Sequence, residues 1–413
     1  MRWETGFGAA AEGRRPKTLS LQHSVHSLSQ ERITLILMVG GWGESPVEQA
    51  LRRAHQAAAG DLLETLRQTD RVERAIIATD DPHWAPDLPG LSLEVDVDRP
   101  GEPFHFGRRL AGLIHRAGAD RVLYAGGGSA PLMTLQDWLG ALSDFAGDRP
   151  QAVTNNLYSS DWIAFYPARD LASRIAPLER DNALGWVLSE ECGVPTRALG
   201  PSAATRLDLD TPADLLVSRL HPRIGPRLRA VLDDLDWPME AVRGVLDVMG
   251  RDGSHLTIIG RSSPAAWMAL DRATRCWVRL FVEERGMVAS GRLRRGEVRS
   301  LLADFLEYAG IDGFFAELES LAEAALMDTR VLMAARGCWP PPADRFNADL
   351  LRWQEVGDPF LREFTRAAAQ SSIPILMGGQ SLVNGGLMAL VEILTTRSVR
   401  VLWDGNLTST PLS

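Results

Sequence analysis

Residues 33–39, ITLILMV, limit the fold of this chain more than any other stretch. A strand with one wet face shows a polar residue at every second position, and this run does not. It predicts a strand buried on both faces, the situation of a parallel sheet covered by helices. The run ends in the glycine-rich turn GGWGESP, residues 40–46. Helical spacing follows over residues 46–67, then a short strand at 75–78 that stops at Thr79-Asp80-Asp81-Pro82, and a third candidate at 93–97. Strands alternating with helical segments predict βαβ units.

The same alternation continues. Leu110, Leu113, Ile114 and Ala117 recur at helical spacing and lead into a strand at 122–125, closed by GGGSAP. Further strands are expected at 152–154 and 162–165, with helices near 181–190 and 211–219. The last begins Thr211-Pro212-Ala213-Asp214, a cap hydroxyl, a first-turn proline and a first-turn carboxylate. Residues 221–254 read as two linking helices. A second α/β pattern then starts, with strands at 256–259 and 277–282, a helix through Leu301, Leu302, Phe305 and Leu306 ended by Gly310, and strands at 331–333 and 373–377. The fold class is therefore α/β: an N-terminal mixed sheet flanked by helices, and a second α/β domain. The expected organisation is a loose extension at 1–30, a first domain at 31–220, a helical linker at 221–254 and a second domain at 255–413.

Bulk properties narrow the function. A chain of 413 residues exceeds one ordinary core, and 45% apolar content supports folded domains. A formal charge of -9 disfavours a nucleic-acid partner but not small phosphorylated ligands. No stretch approaches the ~20 apolar residues of a membrane span, and none of the opening residues form a signal core, so a cytoplasmic protein is expected. Cys192, Cys276 and Cys338 have neither disulfide nor zinc spacing, and the eight histidines have no ligand spacing. The oligomeric state is not readable.

Several clusters could carry chemistry. Gly126, Gly127, Gly128 and Ser129 follow a strand, where open α/β sheets place ligands; a tight turn would also use them. Asn155, Asn156 and Asp161 gather amides and a carboxylate after another strand, and could read an acceptor or only form Asx-turns. Asp208 and Asp210 alternate along an extended segment and face one side; Asp210 could serve only the fold. Asp181-Asn182 could cap a helix. Arg285 and Arg292, with Arg294, Arg295 and Arg299, suit phosphate recognition or an exposed loop paired to glutamates. Gly378 and Gly379 lie between a strand and a helix start and could present N–H groups to an anion, or permit close packing. Asp328-Thr329-Arg330 and Asp344-Arg345-Phe346-Asn347 could be ion-paired scaffolding.

Two of these stretches, VLYAGGGSAPLMT (122–134) and TRLDLDTPADLL (205–216), resemble the nucleotidyltransferases of GT-A fold that include the molybdenum-cofactor and phospholactate guanylyltransferases. The resemblance covers about residues 32–220. It implies transfer of a nucleoside monophosphate from a nucleoside triphosphate to a phosphorylated small molecule, with Mg2+ held by acidic residues. Asp208, Asp210 and Asp161 are then the catalytic candidates, Asp208 and Asp210 the metal ligands, and Gly40, Gly41 and Gly43 part of the nucleotide loop. Two departures stand out. The loop after the first strand lacks the family's Arg and Lys, and Ser129 replaces its metal-binding Asp. Either the metal is held through Asp80, Asp161, Asp208 or Asp210, or the domain binds a nucleotide or sugar phosphate without turnover. A glycosyltransferase using a nucleotide-sugar donor is a third reading.

Overall fold

The computed structural model describes residues 32–99 and 101–406, with side chains through 396. The expected N-terminal extension lies outside them. A seven-stranded sheet comprises β1 (Ile33–Val39), β2 (Val72–Thr79), β3 (Ser92–Val97), β4 (Val122–Gly126), β5 (Gln151–Thr154), β6 (Trp162–Tyr166) and β7 (Thr196–Ala198), in the order β3-β2-β1-β4-β6-β5-β7. β6 runs antiparallel to both neighbours, and every other pair is parallel.

The apolar run does what its pattern demands. Leu35, Leu37 and Val39 enter the core that includes the helix Pro46–Arg67, while Ile36 enters the core that includes the helix Phe106–Ala117. The two-residue period therefore sends alternate side chains into two different apolar layers. β2 divides likewise, Ala75 and Ile77 to one side and Ile76 and Ala78 to the other.

A second sheet holds β8 (His255–Gly260), β9 (Trp277–Val282), β10 (Ala324–Asp328) and β11 (Ile375–Gly378), all parallel in the order β11-β10-β8-β9. Leu256, Ile258, Leu326 and Leu376 belong to the same apolar cluster as Leu35 and Leu37, so one core runs beneath both sheets. The linking helices divide between them: Pro226–Asp234 packs on Pro46–Arg67, with the Asp61 carboxylate accepting from the amides of Arg227 and Leu228 at 3.1 and 2.9 Å, and Glu240–Met249 packs on β10 and β11.

One expectation needs correction. Residues 331–333 lie in the helix Arg330–Ala335, and the strand is β10, just before it. AALMDTRVLMAA is nearly continuous in apolarity, so pairing with β8 and β11, not periodicity, decides which half is extended. β7, a polar three-residue edge strand, had no apolar signal at all. Gly310 interrupts the helix Leu301–Leu321 with φ 72° and ψ 171°, as expected of a break. Among the described residues no helix is long and apolar enough to cross a membrane.

Each sheet has a point where successive parallel connections leave in opposite directions, between β1 and β4 and between β8 and β10. Ligands of open α/β sheets bind beyond the carboxyl ends of strands at such points. Segments that follow the carboxyl ends of both sheets also meet. The Ser381 hydroxyl, beyond β11, accepts from the Asp208 amide at 3.2 Å and donates to the Asp208 carbonyl at 2.7 Å.

Candidate functional site

The two family-like stretches touch. Ser129 and Asp208 form an isolated antiparallel bridge, and the Leu209 amide donates to the Gly128 carbonyl at 3.2 Å. His55, from the helix Pro46–Arg67, locks this junction. Its Nε2 lies 2.8 Å from the Leu209 carbonyl, which can only accept, so Nε2 carries the proton. Burial lowers the His55 pKa to about 4 and keeps the ring neutral. Trp42 meets that ring edge-on at 4.7 Å.

Four carboxylates gather around the junction. The Asp161 carboxylate accepts from Asn155 Nδ2 at 2.6 Å, and the Asp181 carboxylate from the buried Tyr124 hydroxyl at 2.8 Å. The Asp208 carboxylate accepts from the Leu209 amide at 3.1 Å, and Asp210 follows two residues on. Burial, then repulsion from Asp181 and Asp210, raises the Asp161 pKa to about 8. Burial, then Asp210, Asp161 and Asp181, pushes Asp208 well above the usual carboxylate range. Asp181 and Asp210 are also raised, chiefly by burial, and Arg261 opposes the shift of Asp210. The Asp210 side chain is nevertheless exposed to solvent. Asp214, in the same motif, has a different task. It is fully buried, and one oxygen accepts from both the amide and the hydroxyl of Thr211 as a capping box.

The other expected site residues separate into those at the junction and those used for packing. Gly41, at φ 85°, donates its amide to Asp80 at 2.9 Å, and Gly40 and Gly41 are exposed in an open loop; Gly43 lies against Glu48. Gly127 and Gly128 are buried, and a Cβ on them would press into Val39 and the His55 ring, so close packing requires glycine there. Gly126 is half-buried and donates its amide to the Asp161 carbonyl at 3.0 Å. Ser129 is 2% exposed, and its hydroxyl donates to the Gly126 carbonyl at 2.8 Å within the turn. Asn155 is buried and positions Asp161, and the half-buried Asn156 accepts from the Tyr158 amide in an Asx-turn. Gly378 and Gly379 lie against Ala213 and Thr211 and allow β11 to approach the helix Pro212–Leu220. Arg292 is paired to Glu284 at 2.7 Å, in an exposed loop that also carries Arg285 and whose Arg294 pairs with Glu179 of the first region at 3.2 Å.

Sequence reasoning did not assign His55, Tyr124 or Arg206 to the site, and Asp181 was read as a helix cap. Arg206 donates to the carbonyls of Asn155 and Thr205 and faces Asp161. The signal for Asp181 was its polarity beside Asn182; for His55 and Tyr124 nothing marked them within apolar helical and strand patterns.

From the second sheet come two neutralised pairs. Arg261 grips Asp328 at 2.6 and 3.0 Å, and Arg330 grips Asp349 at 2.6 Å through both nitrogens. All four residues are buried. A recess of about 620 Å³ lies at the amino ends of β1 and β2, lined by Arg32, Thr34, Arg74 and Arg121, and shares no residue with the carboxylate cluster. The convergence of titratable groups, not that volume, marks the candidate site.

No protein-family model matches the chain, and no curated protein matches it. Solved structures similar to it include 4-diphosphocytidyl-2C-methyl-D-erythritol synthase from Anaerococcus prevotii, at 12% identity over 45% of this chain and 94% of that one, TM-score 0.30. Another is 2-C-methyl-D-erythritol 4-phosphate cytidylyltransferase from Thermus thermophilus, at 16% identity over 45% and 97%, TM-score 0.31. A third is CMP:2-keto-3-deoxy-manno-octonic acid synthetase complexed with CTP, at 16% identity over 46% and 97%, TM-score 0.31.

Proposed function

We propose that the junction of the glycine loops with the Asp208–Asp210 segment binds a nucleoside triphosphate with a divalent cation and transfers its nucleoside monophosphate to a phosphorylated small molecule. The observation that carries this reading is the Ser129–Asp208 bridge, which brings the acidic motif to the switch point between β1 and β4. The loop Gly40–Gly43 leads into Ser45, whose hydroxyl caps the 22-residue helix Pro46–Arg67, and that positive helix end suits the phosphate tail.

Among the described residues no three His, Cys, Asp or Glu side chains are grouped to hold a metal ion by themselves, so the reading calls for a hard cation held by two carboxylates together with the substrate phosphates. Clustered carboxylates that lift one another's pKa are relieved by a divalent charge, and Mg2+ commonly uses one or two carboxylates with water and substrate phosphates. Asp208 and Asp210 would hold it. When bound, such an ion neutralises the phosphoryl oxygens during attack. The chain's own residues orient the site: His55 fixes the Leu209 carbonyl, Asn155 aims Asp161, and Ser381 clamps Asp208 from the other side.

The test is pyrophosphate release with each common nucleoside triphosphate, Mg2+ and a panel of sugar phosphates. Asp210→Asn is expected to lower the rate by roughly a hundredfold or more, as loss of one charge-stabilising group does. No heat on titrating any nucleoside triphosphate with Mg2+ would dismiss the reading. A second reading, binding without turnover, is favoured by the buried and internally bonded Ser129 where the resemblance implies a metal-binding carboxylate. Heat of binding without pyrophosphate release selects it.

A further inference from the structure

Arginines near the candidate site are mostly committed. Arg52 donates to the Trp42 carbonyl at 3.0 Å and pairs with Asp80 at 3.5 Å. Arg261 and Arg330 are saturated by Asp328 and Asp349. Arg206 is spent on backbone carbonyls. Arg345 differs. It lies on the helix Pro342–Asp349, half-buried, donating to the Pro340 carbonyl at 3.1 Å and covering the Trp339 ring at 4.8 Å. Among the described residues no carboxylate stands within ion-pair distance of it.

Its location matters as much as its solitude. The helix that carries it packs on Pro46–Arg67, and Phe346 beside it meets Trp42 of the glycine loop at 6.1 Å. The charged groups facing it are Arg330, Asp349 and Glu48, the last from the first turn beyond that loop. Burial, and then Arg330, lowers its pKa to about 10, the response of a cation whose water has been removed without an anion in exchange. At neutral pH it stays charged, and its planar fork retains donors for an oxyanion.

We propose that Arg345, carried by the second α/β region, is the phosphate-binding cation of the site and receives the oligophosphate tail of a nucleotide held at the Gly40–Gly43 loop. This rests on the nucleotide-binding reading above and gives it the positive charge that the loop itself lacks. Packing against Trp339 is the competing role.

Isothermal titration with inorganic tripolyphosphate separates the two roles without requiring the base to be known. Arg345→Gln should weaken tripolyphosphate binding by roughly tenfold to a hundredfold, the worth of a charge-assisted contact. Arg345→Lys should fall between, and it serves as the test if the Gln variant does not fold. Arg251→Gln, which removes an exposed pair with Glu323, should stay within about twofold of wild type. Unchanged affinity in both Arg345 variants overturns the proposal, as does a wild type that ignores tripolyphosphate. A glucose 1-phosphate arm identifies the source: a loss confined to that ligand would move Arg345 to the acceptor side and overturn the assignment to the tail. Wild-type pyrophosphate release that survives in Arg345→Gln sinks Arg345 alone. Tripolyphosphate binding lost in that variant, with no nucleoside triphosphate bound by wild type, supports the anion site and sinks nucleotidyl transfer.

Discussion

Asp161 is the carboxyl group whose ionisation best reports on the cluster. Burial, with repulsion from Asp181 and Asp210, raises its folded pKa to about 8, whereas the unfolded chain restores an ordinary value near 3.8. Between those values the folded state holds the extra proton, so this group's contribution to stability is full below the ordinary pKa and is lost as pH rises toward about 8. His55 acts in the opposite sense, since its folded pKa of about 4 lies below the ordinary 6.5, but its effect is complete above about pH 7. The window from about pH 7 to pH 8.5 therefore isolates the carboxylates. In EDTA, the wild-type melting temperature should fall across that window, and Asp161→Asn should flatten the fall and melt a few degrees higher at its upper end. Mg2+ or Mn2+ should stabilise the wild type more at the upper end than at the lower, because the cation competes with the shared protons. Equal slopes for the two proteins in calorimetry would show that Asp161 ionises as an ordinary surface carboxyl.

Among the elements, the close approach of the segment Leu382–Gly386 to the acidic motif is made possible by one glycine. A Cβ on Gly385 would overlap the carbonyl of Arg206 and the amide nitrogen of Leu207, both backbone atoms that cannot swing aside. Gly385→Ala should therefore cost about 1–3 kcal/mol, the usual penalty for overpacking, read as a lower denaturant midpoint at unchanged slope. A midpoint equal to wild type would mean the contact is looser than the geometry requires. This element also shows what the sequence could reveal. The strands β1, β2, β4, β8 and β11 and the capping box at Thr211 were legible because apolar runs and cap chemistry are local signals. The meeting of 126–129 with 208–210 was legible only through the resemblance of both stretches to one family. The residue type of Gly127, Gly128, Gly378 and Gly379 could not reveal their close packing: glycine admits a ligand and a neighbouring side chain equally well, and only the positions of Val39, His55, Thr211 and Ala213 show the neighbour. Asn155 was hidden in the same way, since a buried amide holding Asp161 has the residue type of a substrate reader.

For the molecule as a whole, the shared core makes the first sheet dependent on the second region. Leu207, Leu209 and Leu216 belong to the same buried cluster as Leu382, Val383 and Leu387, and Ser381 supplies both a donor and an acceptor to the backbone of Asp208. A piece comprising residues 32–220 would leave those leucines in water at a cost of about 25 cal/mol for each Å² of apolar surface uncovered. It would also leave the Asp208–Asp210 segment held on one side alone. Such a fragment should bind an apolar dye and unfold without a sharp transition, whereas residues 32–406 should unfold cooperatively with dye binding only on melting. A fragment that melts sharply at the full chain's temperature would establish the linking helices as a true boundary. It would then reduce the second region's contribution to the site to the charge of Arg345. The expected dependence has the opposite consequence: the acidic motif has its shape only while the second sheet is docked, so substitutions along that seam should weaken nucleotide binding and stability together.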